Sequence, residues 1–257
     1  MRLLPPEESE TQLFGTPPST EIIPSPSTGP AYLPPVTPSE PFRSTFRETS
    51  IDISRWLSQG WEGIKPNLPM FALTTLIVTF LSLITLSVTA GPFLIGLYYM
   101  VFKSLRGERV QVADVFKGFE YFGVAFLAWV VELFIHLSLS GLAEKAPLLG
   151  VITFVASPLV MALFAFVYPL ILDRRMDIAS ALNEAWKVVI SRQWLMFWVF
   201  GLILTLLPPA GLIFCLIGFF LTAPLAVAMS AVAYRDLFGV RSLLSDSPTA
   251  SWPPPGL

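Results

Sequence analysis

The sequence predicts an all-α integral membrane protein: six transmembrane helices arranged as three pseudo-repeated hairpins, flanked by proline-rich tails. Three observations lead there. The chain of 257 residues is 54% hydrophobic and only 13% charged, where a soluble domain carries about 25% charged residues. Its apolar residues also come in runs of membrane-crossing length, about 20 residues each. Finally, one seven-residue phrase occurs three times. Gly91-Pro92-Phe93-Leu94-Ile95-Gly96-Leu97 returns as Ser157-Pro158-Leu159-Val160-Met161-Ala162-Leu163 and as Ala223-Pro224-Leu225-Ala226-Val227-Ala228-Met229, so that the prolines stand 66 residues apart. An aromatic residue follows each proline at the same distance: Phe102, Tyr168 and Tyr234. A fixed period of this kind marks a duplicated structural unit.

Composition narrows the classes further. A formal net charge of −2 gives no reason to expect nucleic acid as a partner. The single cysteine, Cys215, lies in an apolar run and reads as a small buried hydrophobe, so it does not report the redox compartment. Residues 1–50 contain no apolar segment of the kind found in a cleavable signal peptide.

The first 48 residues differ in kind from the rest of the chain. Eleven prolines fall between Pro5 and Pro41, mixed with Ser, Thr and Glu. Such a stretch buries too little apolar surface to offset its ordering entropy and is expected to be disordered, with polyproline II bias. Its Pro35-x-x-Pro38 and Pro38-x-x-Pro41 spacings suit aromatic-lined grooves, although a plain spacer produces the same spacing. Residues 240–257 are a second tail of this type, which leaves 49–239 as the transmembrane domain.

Each hairpin is expected to begin with an amphipathic helix at the membrane interface. Ile53, Trp56, Leu57, Trp61 and Ile64 share one helical face, with Ser50 or Asp52 as the cap. Val112, Val115, Phe116, Phe119 and Phe122 form the second such face, with Asp114 near its start. Ile178, Ala181, Leu182, Ala185, Trp186 and Val189 form the third, after Asp177. A tryptophan-bearing stripe beside basic residues fits a lipid surface. The apolar runs are 68–102, 119–142, 147–172 and 194–234. The last is interrupted by Pro208-Pro209-Ala210-Gly211, which reads as a turn. The first lacks a breaker, yet about 35 residues at 1.5 Å exceed a ~30 Å hydrocarbon core, and the repeat puts a turn near Ser82–Thr89.

Charge placement supports six spans. Arg55 and Lys65 precede the first hairpin. Lys103, Arg106, Arg109 and Lys117 separate the first from the second, Arg174, Arg175, Lys187 and Arg192 separate the second from the third, and Arg235 and Arg241 come after the last. The hairpin tips hold only Glu144 and Lys145. With six spans every basic cluster lies on one side, the cytoplasm by the positive-inside rule, and both termini with it. The prolines at 92, 158 and 224 then fall inside the second arm of each hairpin and are expected to bend it. The small residues Gly91, Ser157 and Ala223, and Gly96, Ala162 and Ala228, would allow close helix approach.

Only one pair of residues suggests chemistry within the spans. Glu132 and His136 lie four apart, on one helical face of the third span, and intramembrane ionisable groups are functional candidates by default. A proton relay or an ion site would use this geometry; so would a Glu hydrogen-bonded to His for structure alone. Neither residue recurs at the repeat spacing, where Trp198 and Leu202 stand instead. The sequence has no P-loop, no GxSxG and no zinc-protease motif, and no catalytic, metal or cofactor-binding residue is assigned. Asp173, Arg174, Arg175 and Asp177 read as topology anchors that attract anionic lipid.

Two stretches carry a family resemblance. Arg106-Gly107-Glu108 followed by Asp114-Val115-Phe116-Lys117-Gly118-Phe119-Glu120-Tyr121-Phe122, and Thr222-Ala223-Pro224 with Ala233-Tyr234-Arg235-Asp236-Leu237-Phe238-Gly239, resemble a family of uncharacterised bacterial polytopic membrane proteins. That family is similar to the membrane domain attached to some glycerophosphodiester phosphodiesterases. The resemblance covers roughly residues 50–239 and implies a six-helix bacterial inner-membrane module. It does not imply phosphodiesterase activity, because the sequence holds no soluble catalytic domain.

The functional expectation is a non-enzymatic membrane scaffold or adaptor that engages a protein partner through its cytoplasmic proline-rich tail. The other class is a small transporter or channel with a central site between three proline-kinked helices. Membrane lipids are the one partner both readings require.

Overall fold

The structure is a computed structural model describing residues 51–143, 147–213 and 216–240. The expectations for the proline-rich tail of residues 1–48, for residues 241–257, for Glu144 and Lys145 and for Cys215 fall outside the described residues. Among the described residues every regular element is helical. The α-helices are α1 (Ile53–Ile64), α2 (Leu68–Ile84), α3 (Ala90–Leu105), α4 (Phe122–Ala143), α5 (Pro147–Arg174), α6 (Ile178–Val189), α7 (Trp194–Ile213) and α8 (Leu216–Phe238). A 3₁₀ helix at Val112–Tyr121 leads directly into α4.

Five helical segments are long and apolar enough to cross a membrane: 53–84, 112–143, 148–174, 194–213 and 218–238. Their outer surfaces carry exposed Leu76, Phe80, Phe134, Leu137, Phe154 and Leu206. An apolar exterior this extensive, on four of the five segments, is what lipid requires and water penalises. The chain is therefore a multi-pass membrane protein.

The amphipathic segments start where their caps dictate. Asp52 accepts the Arg55 N–H at 2.9 Å and opens α1, and Asp177 accepts the Ser180 N–H at 3.2 Å and opens α6. The middle segment is 3₁₀ rather than α, and it opens with a reciprocal capping box between Gln111 and Asp114. The α1 stripe is spent on protein as well as lipid. Trp56 and Ile64 are buried and Trp61 is exposed. The Trp56 ring meets Phe200 edge-on at 5.3 Å, and its indole N–H donates to Asp236 at 3.0 Å. Arg55 pairs with the same carboxylate at 2.6 Å. Trp56 thus pins α1 to α8 and serves the core more than the interface.

Asp177 supplies a pH-dependent contribution. The Ser180 hydroxyl and then its backbone N–H hold this carboxyl below the ordinary carboxylate range. A depressed native pKa means stabilisation that is present above the unfolded value and lost as pH falls through the native one. An Asp177→Ala protein should therefore melt earlier than wild type at neutral pH. The two melting points should converge under acid, as read by thermal unfolding in detergent.

Three helices form the centre. α3, α5 and α8 each touch the other two, and their C-terminal ends converge. The Phe102 ring lies 6.0 Å from that of Tyr234, the Tyr234 hydroxyl donates to Asp173 at 2.8 Å, and Arg174 donates to the Phe238 carbonyl at 2.9 Å. Around this centre α3 packs on the 3₁₀ helix and α4, α5 on α6 and α7, and α8 on α1 and α2. The phrase residues serve this packing: Pro92, Pro158, Pro224, Gly91, Gly96, Ala162 and Ala228 are buried, while Ser157 and Ala223 are half-buried. At Gly96 an added Cβ would lie 1.8 Å from the Val115 carbonyl oxygen, and at Gly118 one would lie 1.9 Å from that of Pro92. These two backbones cross with no room for a side chain.

Two proline expectations need correction. Pro158 and Pro224 do lie inside their helices, but Pro92 stands in the first turn of α3. A proline there breaks no intrahelical hydrogen bond and causes no mid-helix bend. Pro208-Pro209-Ala210-Gly211 is not a turn: α7 continues to Ile213. A membrane helix keeps prolines when its neighbours supply contacts, and here Thr222 of α8 donates to the Pro208 carbonyl at 3.2 Å. Gly211 serves the crossing with α8, where its Cβ would meet Gly218 backbone at 2.6 Å. The first hairpin does turn inside the expected window, at residues 85–89 between α2 and α3.

Candidate functional site

The first hairpin is built differently from the other two. α4 packs along α5 and α7 along α8, whereas α2 makes few contacts with α3 and lies instead along α8. The splayed arms leave a groove of about 610 Å³ between α2, α3 and α4. Val78, Leu83, Leu94 and Leu97 give it apolar walls, Thr79 and Ser82 add hydroxyls on the α2 side, and Trp129, Glu132 and His136 come from α4.

Glu132 and His136 are both half-buried and both line this groove, yet they do not pair through their side chains. His136 Nδ1 lies 3.0 Å from the backbone carbonyl of Glu132, one helical turn back, a contact in which the ring N–H donates. The Glu132 carboxyl takes a different partner: Tyr168 on α5 donates its hydroxyl to Oε2 at 2.6 Å. No protein hydrogen bond to Oε1 occurs among the described residues. Glu132 sits ten residues into α4, about 15 Å along the axis at 1.5 Å per residue. That is close to half the depth of a ~30 Å hydrocarbon core.

Beside the groove lies a second, smaller space of about 60 Å³ among the central helices, lined by Tyr98, Met161, Phe164, Val227 and Ser230 among others. Tyr98 donates to the Ala165 carbonyl at 3.1 Å, and Ser230 to that of Ala226 at 2.9 Å. Leu94, Glu132 and Tyr168 line both spaces. The Glu132–Tyr168 hydrogen bond therefore stands at the boundary between a lipid-facing groove and the centre of the bundle.

Sequence reasoning found Glu132 and His136 but assigned no role to Tyr168 or Tyr98. A signal for Tyr168 existed: it is one of the aromatics that follow the repeated prolines. Two of these, Tyr168 and Tyr234, deliver a hydroxyl to a carboxylate on another segment. Asp173 and Arg174 are likewise used internally. Asp173 is fully buried under Tyr234, and Arg174 lies over the Phe238 ring at 5.7 Å. They tie α5 to α8, a contact that competes with binding lipid headgroups. Among the described residues no group of three or more His, Cys, Asp or Glu could hold a metal ion. In comparisons with known proteins the chain matches no family model, no curated protein and no solved structure.

Proposed function

We propose that this chain is a non-enzymatic membrane carrier of the small-transporter class, which takes up a lipid-soluble molecule from the bilayer through the α2–α4 groove. The observation behind it is the Glu132–Tyr168 pair, shared by the open groove and the smaller central space. A polar pair at membrane depth is costly to keep, and this one stands where a bound molecule would pass from lipid to protein.

The reading includes six spans. α3 has 16 residues, about 24 Å of helix, but nearly all of it is buried against other helices, so it need not match the full lipid thickness. With α3 crossing, the three proline-bearing arms are the inner helices of three hairpins, each packed on the amphipathic helix and first arm of another. The 66-residue repeat is consistent with this arrangement. The positive-inside rule then puts both termini in the cytoplasm, and the resemblance at 106–122 and 222–239 makes the bacterial inner membrane the proposed location. The adaptor reading depends on residues 1–48, outside the described residues, and no observation on 51–240 favours it.

Photolabelling tests the proposal. Wild-type protein in nanodiscs would be irradiated with long-chain alkyl diazirines, one capped by a hydroxyl and one by trimethylammonium. Leu97 is buried and Trp129 half-buried, whereas Leu195 and Met196 on α7 face outward. Carrier loading predicts that at least one probe labels Leu97 and Trp129 more than the two α7 residues. Labelling that simply follows lipid exposure, with Leu97 and Trp129 lowest for both probes, would count against it.

A further inference from the structure

We infer that the groove is selective for an amphipathic cation, a molecule with an apolar tail and an amine or quaternary ammonium head. This rests on the groove being the site proposed above and adds the class of its occupant.

Charge complementarity carries the argument. The groove wall is mostly apolar, and its acidic group is Glu132, at the inner end. Among the described residues no Lys or Arg lines either space. The one lining group that could carry positive charge, His136, directs Nδ1 to the backbone of its own helix. The carboxyl is only half-satisfied: Tyr168 occupies Oε2, and Oε1 has no protein partner. A neutral occupant can at most donate one hydrogen bond to that oxygen and brings no charge to the carboxyl. A fatty acid or anionic headgroup would meet a carboxyl and no Lys or Arg among the lining residues. A cationic head sets its charge against the carboxyl, and an amine head also donates to the oxygen that Tyr168 leaves open.

The aromatic groups agree. Trp129 precedes Glu132 by three residues on α4, and that spacing puts both on one helical face. Trp129 and Tyr168 both line the groove beside the carboxyl. A cation at Glu132 therefore has two aromatic rings in the same lining, and cation–π attraction strengthens when the site is desolvated. The groove volume of about 610 Å³ falls within the range of pockets that enclose drug-sized molecules, about 300–1,000 Å³.

The test uses the full chain in zwitterionic-lipid nanodiscs and the same two probes, matched in chain length. Labelling of Leu97 and Trp129 is followed against the mole fraction of probe in the bilayer. The wild type should reach half-saturation with the trimethylammonium probe at about a tenfold lower mole fraction than with the alcohol, the scale of a largely desolvated cation contact. Glu132→Gln keeps an oxygen for the Tyr168 hydroxyl and should elute as the wild type does. In it the two probes should become equivalent. Trp129→Leu, read at Leu97, should reduce the cation preference by a few-fold, the scale of a partly exposed cation–π contact. If both probes label the groove equally in the wild type, or if Glu132→Gln leaves the cation preference intact, the inference is overturned while the groove remains a site. If neither probe concentrates in the groove, the carrier reading fails as well.

Discussion

Gly96→Leu should prevent assembly of a stable bundle, whereas Gly123→Leu should be tolerated. The Cβ of any residue at 96 would sit 1.8 Å from the Val115 carbonyl oxygen, and the reciprocal position at Gly118 is as tight against Pro92. The obstruction is backbone on both sides, so no side chain can rotate away. Relief would require the 3₁₀ helix to move off α3. That would pull Asp114 from Lys103, now 2.9 Å apart, and Phe119 from its edge contact with Phe93 at 5.0 Å. Overpacking a core ordinarily costs about 1–3 kcal/mol, and an immovable backbone puts this case at or above the top of that range. Net stabilities of only about 5–15 kcal/mol leave little margin. Gly123 stands one residue into α4 with nothing within 4 Å of its Cβ. Size-exclusion profiles and thermal midpoints in detergent separate the two variants. Equal behaviour would mean that the close α3 crossing is not part of the stable fold.

Much of the architecture was legible because it follows from local rules. The amphipathic stripes at Ile53–Ile64 and Ile178–Val189 appear in the structure where spacing put them, and of the two cap candidates for the first, Asp52 is the cap. The first hairpin turn lies in its expected window because the chain is too long to cross once. The errors came from proline and glycine read without their neighbours. Pro208 to Gly211 resembles a turn, but Thr222 and Gly218 across the α7–α8 crossing let the helix continue. Pro92 sits in a helical first turn whose position depends on where the preceding turn ends, and no local signal sets that.

The candidate site was half legible. Four-residue spacing and an apolar setting singled out Glu132 and His136, but spacing cannot say which groups a side chain meets. Glu132 is held by Tyr168, 36 residues away, and His136 turns to its own backbone. The groove itself depends on α2 packing along α8 instead of α3. The arm that departs from the pattern of the other hairpins opens the space, and a repeat read from sequence predicts the regular arrangement.

The central claim is that a molecule from the bilayer occupies the groove at Glu132, and filling the groove tests it most directly. Thr79 is exposed on α2 and lines the groove, and its hydroxyl bonds only the Thr75 carbonyl of its own helix, at 2.7 Å. Thr79→Trp therefore adds an indole to the space while removing little from the fold. The decisive measurement is diazirine labelling of Leu97 and Trp129 in Thr79→Trp protein whose elution and melting match the wild type. The account predicts that labelling falls to the level of Leu195 and Met196 or below. Unchanged labelling of Leu97 and Trp129, with the groove filled, would contradict it.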